Sequence, residues 1–158
     1  MNYSVSKIGQ ILHAPTKLGD VIVRGVSFDS RQVKPGDLFV AMVAQKDGHD
    51  YIEQAFNNGA VAVLADNQHQ IPSTIAAVIV PDTLTALQAL AQYRRQDINP
   101  KVVAITGSNG KTTTKDMAAA VLGTRYKTFK TPENFNNEIG VPLTLLTMPE
   151  ETEVLVVE

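Results

Sequence analysis

The residues best equipped for chemistry stand close together. Residues 102–114 read V-V-A-I-T-G-S-N-G-K-T-T-T, an apolar run, then Gly107 and Gly110 around Ser108 and Asn109, then Lys111 and three threonines. Glycines let the backbone approach phosphate oxygens with N–H groups pointing inward. A helix starting near Lys111 adds the positive end of its dipole. Lys111 supplies a point charge for β- and γ-phosphates, and the Thr112 hydroxyl is placed to ligate Mg²⁺. The strict phosphate-loop pattern wants its first glycine where Ile105 stands, so the motif is a variant. The same residues also suit a plain strand-to-helix turn, with threonines as helix caps. The apolar run before the loop and the helical pattern after it are the context the phosphate reading requires.

Three further places carry polar groups that chemistry could use. Glu158 follows the apolar run 154–157. A carboxylate just past the carboxyl end of a parallel strand borders the ligand crevice, where an acid completes a Mg²⁺ shell. It also suits the polar end of any strand. Asp29, Ser30 and Arg31 follow an apolar stretch and suit either a binding loop or a turn held by Asp and Ser bonding to nearby backbone. Phe28 and Phe39 read as core. His13, His49 and His69 show no metal-ligand spacing and read as ordinary surface or core histidines. The acidic run 150–153 reads as a solvated turn.

These groups need elements to position them. Ile8, Ile11 and Leu12 at i, i+3 and i+4 predict a short helix over 6–12. Strands are expected over 21–28, 38–43, 60–65 and 76–80, with a Pro35-Gly36 turn between the first two. Helices are expected over 50–58, closed by Gly59, and over 84–95, capped by Asp82 or Thr83. Asn99-Pro100 breaks the pattern. It restarts with a buried strand over 102–106, a helix over 111–122 and a strand over 126–130. A polar loop (131–137), a helix over 138–147 interrupted by Pro142 and a buried strand over 154–157 complete the chain.

Alternating strands and helices imply an α/β fold. Residues 1–97 are expected to form a small α/β domain, which the resemblance given below makes the substrate domain. Residues 98–158 are expected to open a parallel α/β ATPase domain of the P-loop kind. Too few residues follow Lys101 to cover both faces of such a sheet, so the chain is expected to be an N-terminal fragment.

Composition removes several function classes. The 158 residues are 44% hydrophobic, enough for a packed core. The net charge of −2 provides no global basic field for nucleic acid. With no cysteine, disulfides and thiolate metal sites are excluded. No apolar run approaches a membrane span and the first ten residues are not a signal peptide. A cytoplasmic, monomeric protein with no membrane insertion is the expectation.

Residues 106–113, T-G-S-N-G-K-T-T, resemble the short ATP loop of the Mur ligases, a form shared with folylpolyglutamate synthases. Residues 29–41, D-S-R-Q-V-K-P-G-D-L-F-V-A, resemble a segment of the family's tripeptide- and pentapeptide-forming members, and residues 47–51 continue it. Residues 134–142, N-F-N-N-E-I-G-V-P, resemble the pentapeptide-forming members and depart from the N-T-T pattern of the tripeptide-forming ones. The three motifs occur in family order and together span almost the whole chain.

The resemblance implies an ATP- and Mg²⁺-dependent ligase that joins D-alanyl-D-alanine to UDP-N-acetylmuramoyl-tripeptide through an acyl phosphate. It implies ATP contacts from Gly107, Ser108, Asn109, Gly110, Lys111, Thr112 and Thr113, with Lys111 catalytic. Thr112 and Glu158 match the Mg²⁺ ligands. Phe28, Asp29 and Ser30 match the uridine segment, and Gln45 and Lys46 fall where related members meet the nucleotide. Asn134 and Asn137 match the loop beside the substrate's phosphates and peptide. Alternatives are a tripeptide-forming Mur ligase, a folylpolyglutamate-type ligase, and a UDP-sugar-binding module without catalysis. A GTPase would carry N-K-x-D after its loop, and this chain has none.

Overall fold

The computed structural model describes residues 1–158 except Gln45, Glu133 and Asn134. In chain order it runs β1 (Tyr3–Ser4), α1 (Val5–Leu12), β2 (Thr16–Lys17), β3 (Ile22–Val23), β4 (Gly25–Ser27) and β5 (Asp37–Val40). A 3-10 turn (Gly48–Tyr51) leads into α2 (Ile52–Asn57), β6 (Ala62–Asp66), β7 (Ala77–Val80) and α3 (Thr83–Ile98). Then come β8 (Lys101–Ala104), α4 (Lys111–Gly123), β9 (Thr128–Lys130), α5 (Gly140–Thr147) and β10 (Val154–Val157). The fold is α/β, as expected. Two compact units, Met1–Leu90 and Ala91–Glu158, divide within α3.

The first unit is built on a five-stranded sheet of order β2-β7-β6-β5-β4. Strands β4 to β7 pair in parallel, and β2 adds an antiparallel edge. The apolar runs of β5, β6 and β7 are buried because both faces are covered. Phe39, Ala41, Val63, Ala65 and Ala77 pack with Ile52 and Ala55 on one side. Gly36 takes φ +95°, which its turn requires after Pro35, and Lys34 N–H donates to Asp37 Oδ2 at 2.8 Å.

Two expected strands are shorter than the pattern suggests. The run 21–28 splits at Arg24: β3 pairs antiparallel with β1, whereas β4 pairs with β5. The run 38–43 leaves the sheet after Val40, where the backbone turns so that Gly48 N–H donates to Met42 O at 2.8 Å. Val43 is therefore exposed rather than buried. A Cβ on Gly48 would lie 2.6 Å from the Met42 nitrogen, so only glycine closes this turn.

The second unit has a three-stranded parallel sheet, β8-β10-β9, with α4 packed on β9 and β10. Central β10 is buried, but β8 is an edge strand with Val102 exposed, not the buried strand expected. Pro142 does not interrupt α5. It sits in the first turn, where backbone N–H groups have no helical partner to lose.

Candidate functional site

The two expected metal ligands, Thr112 and Glu158, meet in the second unit. Strands β8 and β10 are parallel neighbours, so the loop after one and the residue after the other emerge at the same sheet end. The Thr112 hydroxyl donates to Glu158, at 3.0 Å from Oε2 and 3.3 Å from Oε1. Asn136 Nδ2 donates to Oε1 at 3.2 Å, and Lys115 Nζ lies 3.6 Å from Oε2. The Glu158 backbone N–H is held by Thr131 Oγ1 at 3.2 Å. Burial raises the Glu158 pKa, but the hydrogen bonds from Thr112 and Asn136 and the Lys115 charge outweigh it. The carboxyl ends below its usual range and is ionised at neutral pH.

The loop itself is shaped by its glycines. Gly107 has φ +146° and Gly110, the residue before α4, has φ +74°. A Cβ on Gly110 would meet nothing within 4 Å, so the conformation, not crowding by the protein, calls for glycine. Lys111 Nζ folds back onto Gly107 O at 2.9 Å. The first N–H groups of α4 lack intrahelical partners by construction. An open glycine loop, a helix N-terminus, a lysine over the loop and paired hydroxyl and carboxylate oxygens fit a nucleotide phosphate with a hard cation such as Mg²⁺.

The first unit carries a cleft of about 740 Å³. Phe28, Asp29, Ser30 and Lys46 line it, together with Arg31, Tyr51 and Gln54 and with Met42, Ala44 and Gly48. Phe28 is 43% exposed there, correcting the expectation that it is core, whereas Phe39 is buried. Asp29 is largely committed to folding its own loop. Arg31 Nε and Nη2 bind its two oxygens at 2.9 and 2.8 Å, and Gln32 Nε2 adds a bond at 3.0 Å. Hydrogen bonds from the Arg31 side chain and backbone hold its pKa well below the carboxylate range. Ser30 Oγ donates to Gln54 Oε1 at 2.6 Å, and Ser30 O accepts from Asn58 Nδ2 at 2.8 Å. Asn137 Oδ1 accepts from Ile139 and Gly140 N–H at 3.2 and 2.7 Å, so it caps the entry to α5. Gln45 and Asn134 lie outside the described residues.

The model of the Mur ligase family, catalytic domain, matches residues 22–106, more than half of the chain, and that of the Mur ligase middle domain matches 105–158. The chain belongs to the Mur ligase family. It is 50% identical over 139 residues to UDP-N-acetylmuramoyl-tripeptide--D-alanyl-D-alanine ligase of Bacillus subtilis, covering 87% of this chain and 30% of that protein. It is 38% identical to the protein of the same name from Escherichia coli, over 100% of this chain and 35% of that one. A crystal structure of MurF from Acinetobacter baumannii superposes with TM-score 0.90 at 32% identity, covering all of this chain and 36% of that one. MurF ligase from Thermotoga maritima in complex with ADP superposes with TM-score 0.75 at 36% identity, covering 86% and 32%. The chain thus spans about a third of the length of these Mur ligases.

One cluster in this Mur ligase chain has no counterpart in the sequence expectations. His49 and His69 stack with centroids 3.8 Å apart and planes 7° from parallel. Asp66 N–H donates to His49 Nε2 at 3.1 Å, so the His49 proton sits on Nδ1 and is donated to Asp47 Oδ1 at 2.7 Å. His69 spans two carboxylates, with Nδ1 2.7 Å from Asp66 Oδ1 and Nε2 3.0 Å from Asp47 Oδ2. Its pKa is raised, first by the hydrogen bond to Asp66. Asp47, His49 and His69 crowd closely enough to suggest a metal site. The rings are parallel, however, and an ion bridging them would lie far out of both ring planes, where the nitrogen lone pairs do not point. The cluster instead ties the 42–48 turn to the segment after β6. Twenty residues separate the histidines, so no local spacing announces the pair.

Proposed function

We propose that the chain is the N-terminal part of an ATP-dependent ligase that joins D-alanyl-D-alanine to UDP-N-acetylmuramoyl-tripeptide. The observation that carries the chemistry is the Thr112–Glu158 pair at the carboxyl ends of adjacent parallel strands, beside the glycine loop. The substrate assignment draws on the names of relatives up to 50% identical. In this reading the cleft at Phe28, Ser30 and Lys46 takes the UDP end of the substrate, with Gln45, Asn134 and Asn137 as further contacts. Residues 107–113 hold the ATP phosphates. The domain assignment is 1–97 for substrate and 98–158 for the opening of the ATP domain. The protein works in the cytoplasm as a monomer, without nucleic acid.

A carboxylate is a poor electrophile. Transfer of the γ-phosphoryl group to the tripeptide's terminal carboxylate makes an acyl phosphate, whose phosphate leaves when the dipeptide amine attacks. Lys111 and the loop N–H groups spread the charge that develops on the transferred group and orient it in line. Thr112 and Glu158 would hold Mg²⁺, which neutralises phosphate charge when bound. Calorimetric titration of UDP and ATP·Mg²⁺ against the chain tests the division of roles. UDP binding weakened in Ser30→Ala but unchanged in Lys111→Ala supports it. ATP binding that depends on Ser30 and not on Lys111 contradicts it.

A further inference from the structure

Helix α4 buries a single side chain completely, and that side chain is a lysine. Its apolar residues Met117 and Val121 stand 65% and 70% exposed, while Lys115 is 1% exposed. An ammonium group loses much hydration on such burial, so its place needs an opposing charge. Glu158 supplies one, with Oε2 3.6 Å from Nζ and a side chain only 4% exposed. Lys115 lies three residues after Thr112, so both reach the same carboxylate from one face of the helix. The two Glu158 oxygens are then differently held: Asn136 is on Oε1 and Lys115 on Oε2, with the Thr112 hydroxyl nearer Oε2 than Oε1. A carboxylate fixed at both oxygens cannot rotate away from the Thr112 hydroxyl.

We propose that Lys115 is a positioning residue of the nucleotide site: its buried ammonium holds Glu158 against Thr112, so the oxygen donors for Mg²⁺ are assembled before nucleotide arrives. Lys115 itself touches neither phosphate nor metal. The charge of Lys111, on the open loop, addresses the phosphates, and the charge of Lys115, beneath it, addresses the ligand. This rests on the nucleotide reading of residues 107–113 and Glu158.

The test measures ADP binding as a function of Mg²⁺ concentration in the full-length ligase. Lys115→Met keeps the length of the stem and removes the charge; Lys115→Arg keeps the charge. The expected result is that Lys115→Met needs about tenfold more Mg²⁺ for half-maximal tightening of ADP binding, while ADP affinity without Mg²⁺ stays within about twofold. Lys115→Arg recovers part of the Mg²⁺ response. Equal Mg²⁺ requirements in wild type and Lys115→Met overturn the proposal, as does an equal loss with and without Mg²⁺, which would mark a phosphate contact or a general structural role. If Lys115→Met does not fold, Glu158→Gln is compared with the double variant Glu158→Gln/Lys115→Met. With the ligand already disabled, removing Lys115 should cost no further Mg²⁺ response, and a further loss overturns the proposal. A wild-type protein that binds no ADP with Mg²⁺ refutes the nucleotide reading instead.

Discussion

Replacing His49 by leucine should unfasten the turn that walls the cleft. His49 is 8% exposed, and its Nε2 is the acceptor for the Asp66 N–H at 3.1 Å. Leucine fills much of the ring's space but accepts nothing, and a buried N–H left unpaired costs ~1–3 kcal/mol. The bond from Nδ1 to Asp47 Oδ1 at 2.7 Å is also lost. It is charge-assisted, but Asp47 keeps His69 and the His49 backbone N–H, so its loss adds no more than ~1–2 kcal/mol. Restored apolar burial offsets part of this, leaving a net destabilisation of about 2–4 kcal/mol. For a unit of this size that corresponds to a fall in Tm of order 10 °C. Thermal unfolding followed by circular dichroism reads the change, and UDP titration reads the cleft. His49→Gln, whose amide oxygen can take the Asp66 N–H, should recover roughly half of the loss. A Tm for His49→Leu within a degree or two of wild type would refute this account of the cluster.

The stability of the first unit should peak at mildly acid pH. His69 has a raised folded-state pKa, so its contribution is complete below the unfolded value of ~6.5 and is lost as pH rises through the folded value. Asp47 and Asp66 have lowered pKa values, so theirs is present above ~4 and lost as pH falls. Urea unfolding across pH should show a maximum between these limits, and His69→Gln should flatten the alkaline side; an alkaline side unchanged by His69→Gln would contradict the assignment. Lys111→Ala in the full-length ligase should lower turnover by ~10³-fold or more with little loss of UDP-substrate affinity, and equal losses in both would mean the two sites are not separate. Ser30→Ala, which frees Gln54, should weaken UDP binding several-fold, worth ~1 kcal/mol, and leave ATP binding alone; calorimetry of both ligands checks it.

The glycine loop was legible because its signal is local: Gly107, Gly110 and Lys111 must follow one another to make it, and the structure gives both glycines positive φ. The Pro35-Gly36 turn and the Gly59 terminator, with φ +113°, were legible for the same reason. Apolar runs located the strands but not their ends. The run through Val43 is continuous in sequence, yet the close approach of Gly48 to Met42 turns the backbone out of the sheet. The exposure of β8 is set by the strands and helices that flank it, not by its own residues, and this chain spans only about a third of the length of its relatives. The His49–His69 stack and the Lys115–Glu158 pair join residues 20 and 43 positions apart in sequence, and only the fold brings them together. Asp29 and Asn137 have types that suit ligand binding, and the structure shows each also shaping its own loop.

Product formation by the full-length ligase tests the identity of the reaction most directly. The full-length ligase is supplied with ATP, Mg²⁺ and UDP-N-acetylmuramoyl-tripeptide, with and without D-alanyl-D-alanine, and phosphate release is followed alongside the mass of the UDP product. The expected result is release that requires both substrates and a product heavier by one dipeptide residue. Release driven instead by a UDP-dipeptide and a diamino acid, with no reaction of the tripeptide, would contradict it.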